Sequence, residues 1–178
     1  MPRFKAPTTT VNGRRYRSQL EARWATLFNL LDWPFEYEPF QLYGWIPDFL
    51  LLGTAPVLVE VKPVYTFPVF VAEKVERSCP PHEVLIVGCT IPAKPMARPG
   101  VVSPAVLGWL AERSGEDDHL HLWWSDALLG QTPTGVGFRH QEGSQFDRIT
   151  GSPLTPGAAG VAGEMWAEAG NRTQWGLR

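Results

Sequence analysis

Three consecutive segments decide how the chain is read: Trp45-Ile46-Pro47-Asp48-Phe49-Leu50-Leu51-Leu52, then Gly53-Thr54-Ala55-Pro56, then Val57-Leu58-Val59-Glu60-Val61-Lys62. The apolar, β-branched content of the outer two marks neighbouring β-strands joined by a turn. Within them stand one Asp, one Glu and one Lys. Burying an unpaired charge is expensive, so charges among so many β-formers are normally exposed or absent. Three of them together point to a metal and an anion.

Upstream, Phe35 to Phe40 alternates aromatic with acidic residues, as a half-buried strand does. Before it, Ser18 is an N-cap, and Leu20, Trp24, Leu27, Phe28 and Leu31 recur at steps of three and four. That spacing predicts an amphipathic helix over about 18–31, stopped by Trp33-Pro34. Downstream, Thr66-Phe67-Pro68 opens a second helix reaching about Ser78, and Glu83-Val84-Leu85-Ile86-Val87-Gly88 is a buried strand. The order is helix, three-strand meander, helix, strand. It predicts an α/β core with a mixed sheet, helices on its faces and a right-handed crossover.

The chain has 178 residues, enough for one well-cored domain with appendages. Hydrophobic content of 44% argues against global disorder, and the net charge of −2 gives no overall drive toward nucleic acid. Charge is unevenly spread, however. Arg3, Lys5, Arg14, Arg15, Arg17 and Arg23 crowd the first two dozen residues, where Glu21 is the one acid. Cys79 and Cys89 form no metal or disulfide spacing and read as reduced thiols. No signal peptide opens the chain and no apolar run reaches the ~18 residues that span a bilayer, so a cytoplasmic protein with no membrane association is expected.

Three divisions follow: a basic N-terminal arm (1–17), the core (18–92), and a C-terminal extension (93–178). In the extension, a helix is expected from Ser103-Pro104 through Arg113, a strand over His119–Trp124, a long loop region over 130–160, and a last helix from Val161 to Gln174 with Met165, Trp166 and Ala169 on one side.

The chemistry rests on Glu21, Asp48, Glu60 and Lys62. Mg²⁺ and Mn²⁺ prefer carboxylate oxygens and usually take one or two from the protein. Residues 60 and 62 of a strand share a face, so Lys62 stands beside Glu60, able to orient a water or stabilise phosphate charge. Val61 points into the core, with its carbonyl within reach of a metal. Register is the sharper condition. With Leu52 opposite Val57, Asp48 would face Val61 and its carboxylate would lie on the wrong side. The site therefore requires an odd-length connection around residues 53–57, or a bulge. Glu21 has a second reading, because Ser18-x-x-Glu21 is also a capping box.

The helix Ser18-Gln19-Leu20-Glu21-Ala22-Arg23-Trp24-Ala25, followed by Pro47-Asp48 and, after eleven intervening residues, Glu60-Val61-Lys62, resembles the PD-(D/E)xK nuclease superfamily. The wording from Arg17 to Ala25 and from Tyr37-Glu38-Pro39 to Asp48 is similar to small phage-encoded nucleases. The resemblance covers about residues 15–90 and implies a restriction-endonuclease-like core. It implies Asp48 and Glu60 as metal ligands, Lys62 as the catalytic lysine and Glu21 as the helix-borne acid. The activity implied is Mg²⁺- or Mn²⁺-dependent hydrolysis of DNA, endonucleolytic by preference, in the host cytoplasm if phage-encoded. Arg14, Arg15, Arg17 and Arg23 would hold the DNA backbone, and a homodimer is compatible.

Two rivals keep the same fold: a non-catalytic nucleic-acid-binding module, and a phage factor that binds a host enzyme through the Trp-rich C-terminal half. Cys79-Pro80-Pro81-His82 lacks a third group for catalysis, and His119, His121 and His140 lack Cys partners for a zinc site. Trp123, Trp124, Trp166 and Trp175 read as core or interface rather than base-stacking platforms.

Overall fold

A computed structural model describes residues 8–94, 104–114, 121–157 and 159–174. Arg3, Lys5, His119 and Trp175 lie outside the described residues. The elements in chain order are β1 (Thr9–Val11), β2 (Arg14–Tyr16), α1 (Gln19–Leu30), β3 (Phe35–Tyr37), β4 (Phe49–Leu51), β5 (Val57–Val61), α2 (Val69–Arg77), β6 (Glu83–Val87), β7 (Val106–Ser114), β8 (His121–Thr132), β9 (Gly135–His140), β10 (Thr155–Pro156) and α3 (Ala159–Thr173).

The chain is mixed α/β. Strands β3, β4 and β5 form an antiparallel meander, and α2 then crosses over so that β6 runs parallel to β5. The sheet continues through β7 and β8, both antiparallel to their predecessors, and β8 also pairs with β9 and β10. The helix, meander, helix, strand order expected for residues 18–92 is therefore present. β1 and β2 form a separate hairpin turned at Asn12-Gly13, both at positive φ (49° and 76°).

Two apolar layers cover the sheet. On one face α1 buries Trp24, Leu27 and Phe28 against Phe49, Val57, Val59 and Leu85. Burying each large apolar side chain contributes about 1.5–3 kcal/mol, which holds α1 in place far more firmly than helix propensity does. On the other face Val71, Ala72 and Val75 of α2 meet Leu50, Leu58, Val84 and Ile86. Strand alternation thus sends Val61 to the α1 side and Glu60 to the α2 side.

The C-terminal half differs from its sequence reading. The helix expected through Arg113 is strand β7, because Val106-Leu107-Gly108-Trp109-Leu110-Ala111 is a short apolar run compatible with either structure, and the open edge of β6 recruits it. Gly108 lies at a register shift in β7, where an added Cβ would run into the Ile86 carbonyl oxygen. Residues 130–160, expected as a loop, contain most of the β8–β9 hairpin and a turn built on Asp147. Buried Asp147 accepts from the N–H groups of Phe138 (2.9 Å), Ile149 (3.1 Å) and Thr150 (2.7 Å). The last helix forms as expected, and α3 packs on α1 with Trp166 against Trp24, ring centroids 4.6 Å apart. Among the described residues no helix is long and apolar enough to cross a membrane.

Candidate active site

The connection between β4 and β5 spans five residues, 52–56. It pairs Phe49 with Val59, Leu50 with Leu58 and Leu51 with Val57. The paired ladder stops at Phe49: the Asp48 N–H bonds the Val59 carbonyl at 2.9 Å, a local irregularity, and the Asp48 carboxylate comes to lie beside Glu60 and Lys62, the same-side placement that the chemistry requires. The connection is held from outside: Thr54 and Ala55 donate backbone N–H bonds to the carbonyls of Ile149 (2.9 Å) and Arg148 (3.1 Å). Gly53 lies so close to the Arg148 carbonyl that no Cβ fits there.

Asp48 and Glu60 are each 3% exposed. The Asp48 carboxylate ends the β4–β5 ladder: its Oδ2 accepts the Val61 N–H at 2.7 Å. Its Oδ1 accepts from the Arg17 guanidinium. Burial and the neighbouring charge of Glu60 push the Asp48 carboxyl up to about 7, against the opposing pull of Lys62 and the Val61 N–H. Glu60 Oε1 pairs with Lys62 Nζ at 2.5 Å, and its Oε2 accepts from Trp45 Nε1–H at 2.7 Å. Lys62 Nζ also donates to the Val61 carbonyl at 3.2 Å.

Glu21, 7% exposed, forms half of the capping box the sequence allowed: Ser18 caps its N–H, but its carboxylate reaches the Ser18 hydroxyl and the Arg17 N–H rather than the Ser18 N–H. Ser18 Oγ accepts the Glu21 N–H (3.1 Å) and donates to Glu21 Oε1 (3.0 Å). Glu21 Oε2 accepts from the Arg17 N–H (3.2 Å) and from the Tyr37 hydroxyl (2.6 Å). Burial and that hydrogen bond raise the Tyr37 phenol well above its ordinary pKa.

Arg17 stands at the centre of the acids. Besides Asp48, its guanidinium meets Glu38 Oε1 at 2.9 Å and Glu21 Oε2 at 3.8 Å. Burial opposes its charge, but Asp48, Glu21 and Glu38 outweigh that and raise its pKa. Glu38 holds φ at 48°, an uncommon value outside glycine, while its N–H still bonds the Asp48 carbonyl at 2.9 Å.

The four arginines expected to hold nucleic acid divide three ways. Arg14 and Arg15 are exposed on β2, three and two residues before Arg17. Arg17 is engaged by the acids. Arg23 turns to α3: its guanidinium lies 3.8 Å over the Trp166 ring and donates to the Trp166 carbonyl at 2.7 Å, so its place is in the α1–α3 contact.

Tyr37, Glu38 and Trp45 were not singled out from sequence. The signal for Trp45 was its place three residues before Asp48, which a buried aromatic with an N–H donor shares with countless core tryptophans. His140 is fully buried and committed to the Gly143 N–H (2.8 Å) and the Trp123 carbonyl (3.1 Å).

The carboxylates of Asp48 and Glu60 and the Val61 carbonyl are the donor chemistry a hard divalent ion takes. Two buried, mutually repelling carboxylates also favour added positive charge. Among the described residues, however, no three acidic, His or Cys side chains are grouped to hold an ion; Arg17 and Lys62 supply the positive charge instead. No family model matches the chain, and no curated protein and no solved structure matches it.

Proposed function

We propose that the chain is a Mg²⁺- or Mn²⁺-dependent nuclease that hydrolyses DNA phosphodiester bonds on a PD-(D/E)xK, restriction-endonuclease-like core. The observation that carries the reading is the approach of the Asp48 carboxylate to Glu60 and Lys62, with Asp48 Oδ2 on the Val61 N–H and Lys62 Nζ 2.5 Å from the Glu60 carboxylate. Asp48 and Glu60 would hold the ion, beside the Val61 carbonyl. Once bound, the ion would lower the pKa of a water and neutralise charge on the phosphate.

The chain's own groups have separate tasks. Lys62 is placed to hold the attacking water or a phosphate oxygen by an ammonium hydrogen bond. Trp45 fixes the orientation of Glu60, and the Val61 N–H fixes that of Asp48. Arg17, half exposed, is within reach of a phosphate once it leaves the acids. Arg14 and Arg15 would add backbone contacts that carry no sequence information and weaken steeply with salt.

One observation favours a second reading, a nucleic-acid-binding module without catalysis: Arg17 already occupies the acidic cluster. Incubation with single-stranded, duplex and branched DNA, with Mg²⁺, with Mn²⁺ and with EDTA, separates the two. The nuclease cleaves at least one substrate in the presence of metal, and Lys62→Ala abolishes cleavage while DNA binding remains. No cleavage of any substrate with either metal would leave the binding module.

A further inference from the structure

A second polar and aromatic cleft opens on the α2 side of the sheet. It has a volume of about 310 Å³, at the lower end for small-ligand clefts. Its walls are Phe67, Trp109 and Trp124, with the Phe67 ring centroid 5.8 Å from Trp109 and 5.6 Å from Trp124. The interplanar angles of 65° and 56° mean that Phe67 stacks flat on neither indole. Trp124 is anchored by an Nε1–H bond to Glu76 on α2, 3.2 Å. The remaining border is polar: Lys94 Nζ donates to Asp126 Oδ2 at 2.6 Å and to the Gln141 side-chain oxygen. The lining is mostly polar, with the edges of the three packed rings behind it, and this mixture of donors, acceptors and aromatic surface suits an unstacked nucleobase, which offers π-faces and a hydrogen-bonding edge.

The cleft's place in the sheet links it to the candidate active site. Glu60 pairs with Ile86, Ile86 with Trp109, and Trp109 with Asp126. Directly paired residues share a face, so these four side chains form one row across the sheet. Strands are spaced by about 4.8 Å, which puts Trp109 roughly 10 Å from Glu60 across the sheet; Ile86 between them is buried under α2, so a nucleic-acid strand that joins the two places passes around that helix.

We propose that the cleft of Phe67, Trp109 and Trp124 receives one base of the substrate strand whose phosphate is held at Glu60 and Lys62, with Asp126 and Gln141 reading its edge. The identity of the ligand rests on the nuclease reading; the cleft and its row do not. The sequence favoured core or interface for Trp124, and it does pack against the α2-side core while also bordering the cleft.

Binding of a fluorescein-labelled single-stranded 12-mer, measured by anisotropy in EDTA, tests this without cleavage. Trp109→Leu and Trp124→Leu should each weaken binding about tenfold or more, with the salt dependence unchanged because no phosphate contact is lost. A 12-mer of abasic sites should bind wild type and both variants alike. Gln141→Ala, which leaves the aromatic walls intact, should change the preference among the four homopolymers. Variants that keep the wild-type circular dichroism and bind the intact strand within twofold of wild type overturn the proposal. So does a loss of equal size on the abasic strand, or no single-strand binding by wild type. Base-dependent loss together with no metal-dependent cleavage would remove the nuclease reading and leave the cleft; cleavage indifferent to Trp109 and Trp124 would do the reverse.

Discussion

Titrating the metal-free protein probes the electrostatics of Asp48 and Glu60 directly. Asp48 is 3% exposed, and burial beside Glu60 pushes its carboxyl up to about 7 from an ordinary 3.8. Between those two values the native state binds more protons at this site than the unfolded chain does. Stability from this group is therefore fully present below the ordinary carboxylate pKa and falls as pH rises to about 7. At ~1.4 kcal/mol per pKa unit, the shift corresponds to about 4 kcal/mol across that window. Asp48→Asn keeps the size of the side chain and does not ionise, so it should lack this slope. Urea unfolding followed by tryptophan fluorescence, in EDTA at pH 4 to 8 and constant ionic strength, measures both proteins. The stability of Asp48→Asn relative to wild type should grow by about 4 kcal/mol from pH 4 to pH 8. A flat difference, or a wild type gaining on the variant with rising pH, would refute the reasoning. It would mean that Arg17 and the Val61 N–H outweigh burial and Glu60. Millimolar Mn²⁺ at pH 8 should then raise the wild-type midpoint and leave Asp48→Asn nearly unmoved.

Further outcomes follow from other contacts. Arg17→Ala removes the cation that competes for Asp48 Oδ1, so Mn²⁺ should bind several-fold more tightly by isothermal titration calorimetry; weaker binding would instead make Arg17 a support of the ion site. Gly108→Ala sets a Cβ against the Ile86 carbonyl, a backbone atom with little freedom to move, and should cost about 1–3 kcal/mol in urea unfolding. Arg148 is 3% exposed and joins Glu83 (2.6 Å) to Glu112, so Arg148→Met leaves two carboxylates without their cation. A loss of about 3 kcal/mol is expected in the same assay, and no loss would mark the pair as replaceable.

Local pattern alone made α1, β4, β5, α2 and β6 legible. Ser18 capped a run with helical spacing, and Val57–Val61 offered little but strand. The same runs announced the odd charges Asp48, Glu60 and Lys62, because charge in an apolar strand is a local anomaly. Strand periodicity was enough to set Glu60 and Lys62 on one face, and the salt bridge between them agrees.

Partners distant in sequence were not legible. Val106–Ser114 carries no local preference strong enough to choose strand over helix, and pairing with β6 decided it. Arg17 and Arg23 looked alike as basic residues near a helix start, yet one meets Asp48 and the other Trp166. Nothing in the local sequence distinguishes a guanidinium that finds carboxylates from one that finds an indole. The site condition itself was of this kind. Sequence required Asp48 on the same side as Glu60 and Lys62, opposite one or the other, while the five-residue connection that sets the β4–β5 register is braced by Arg148 and Ile149, over ninety residues away. Register is a relation between strands, and here the far end of the chain helps to hold it.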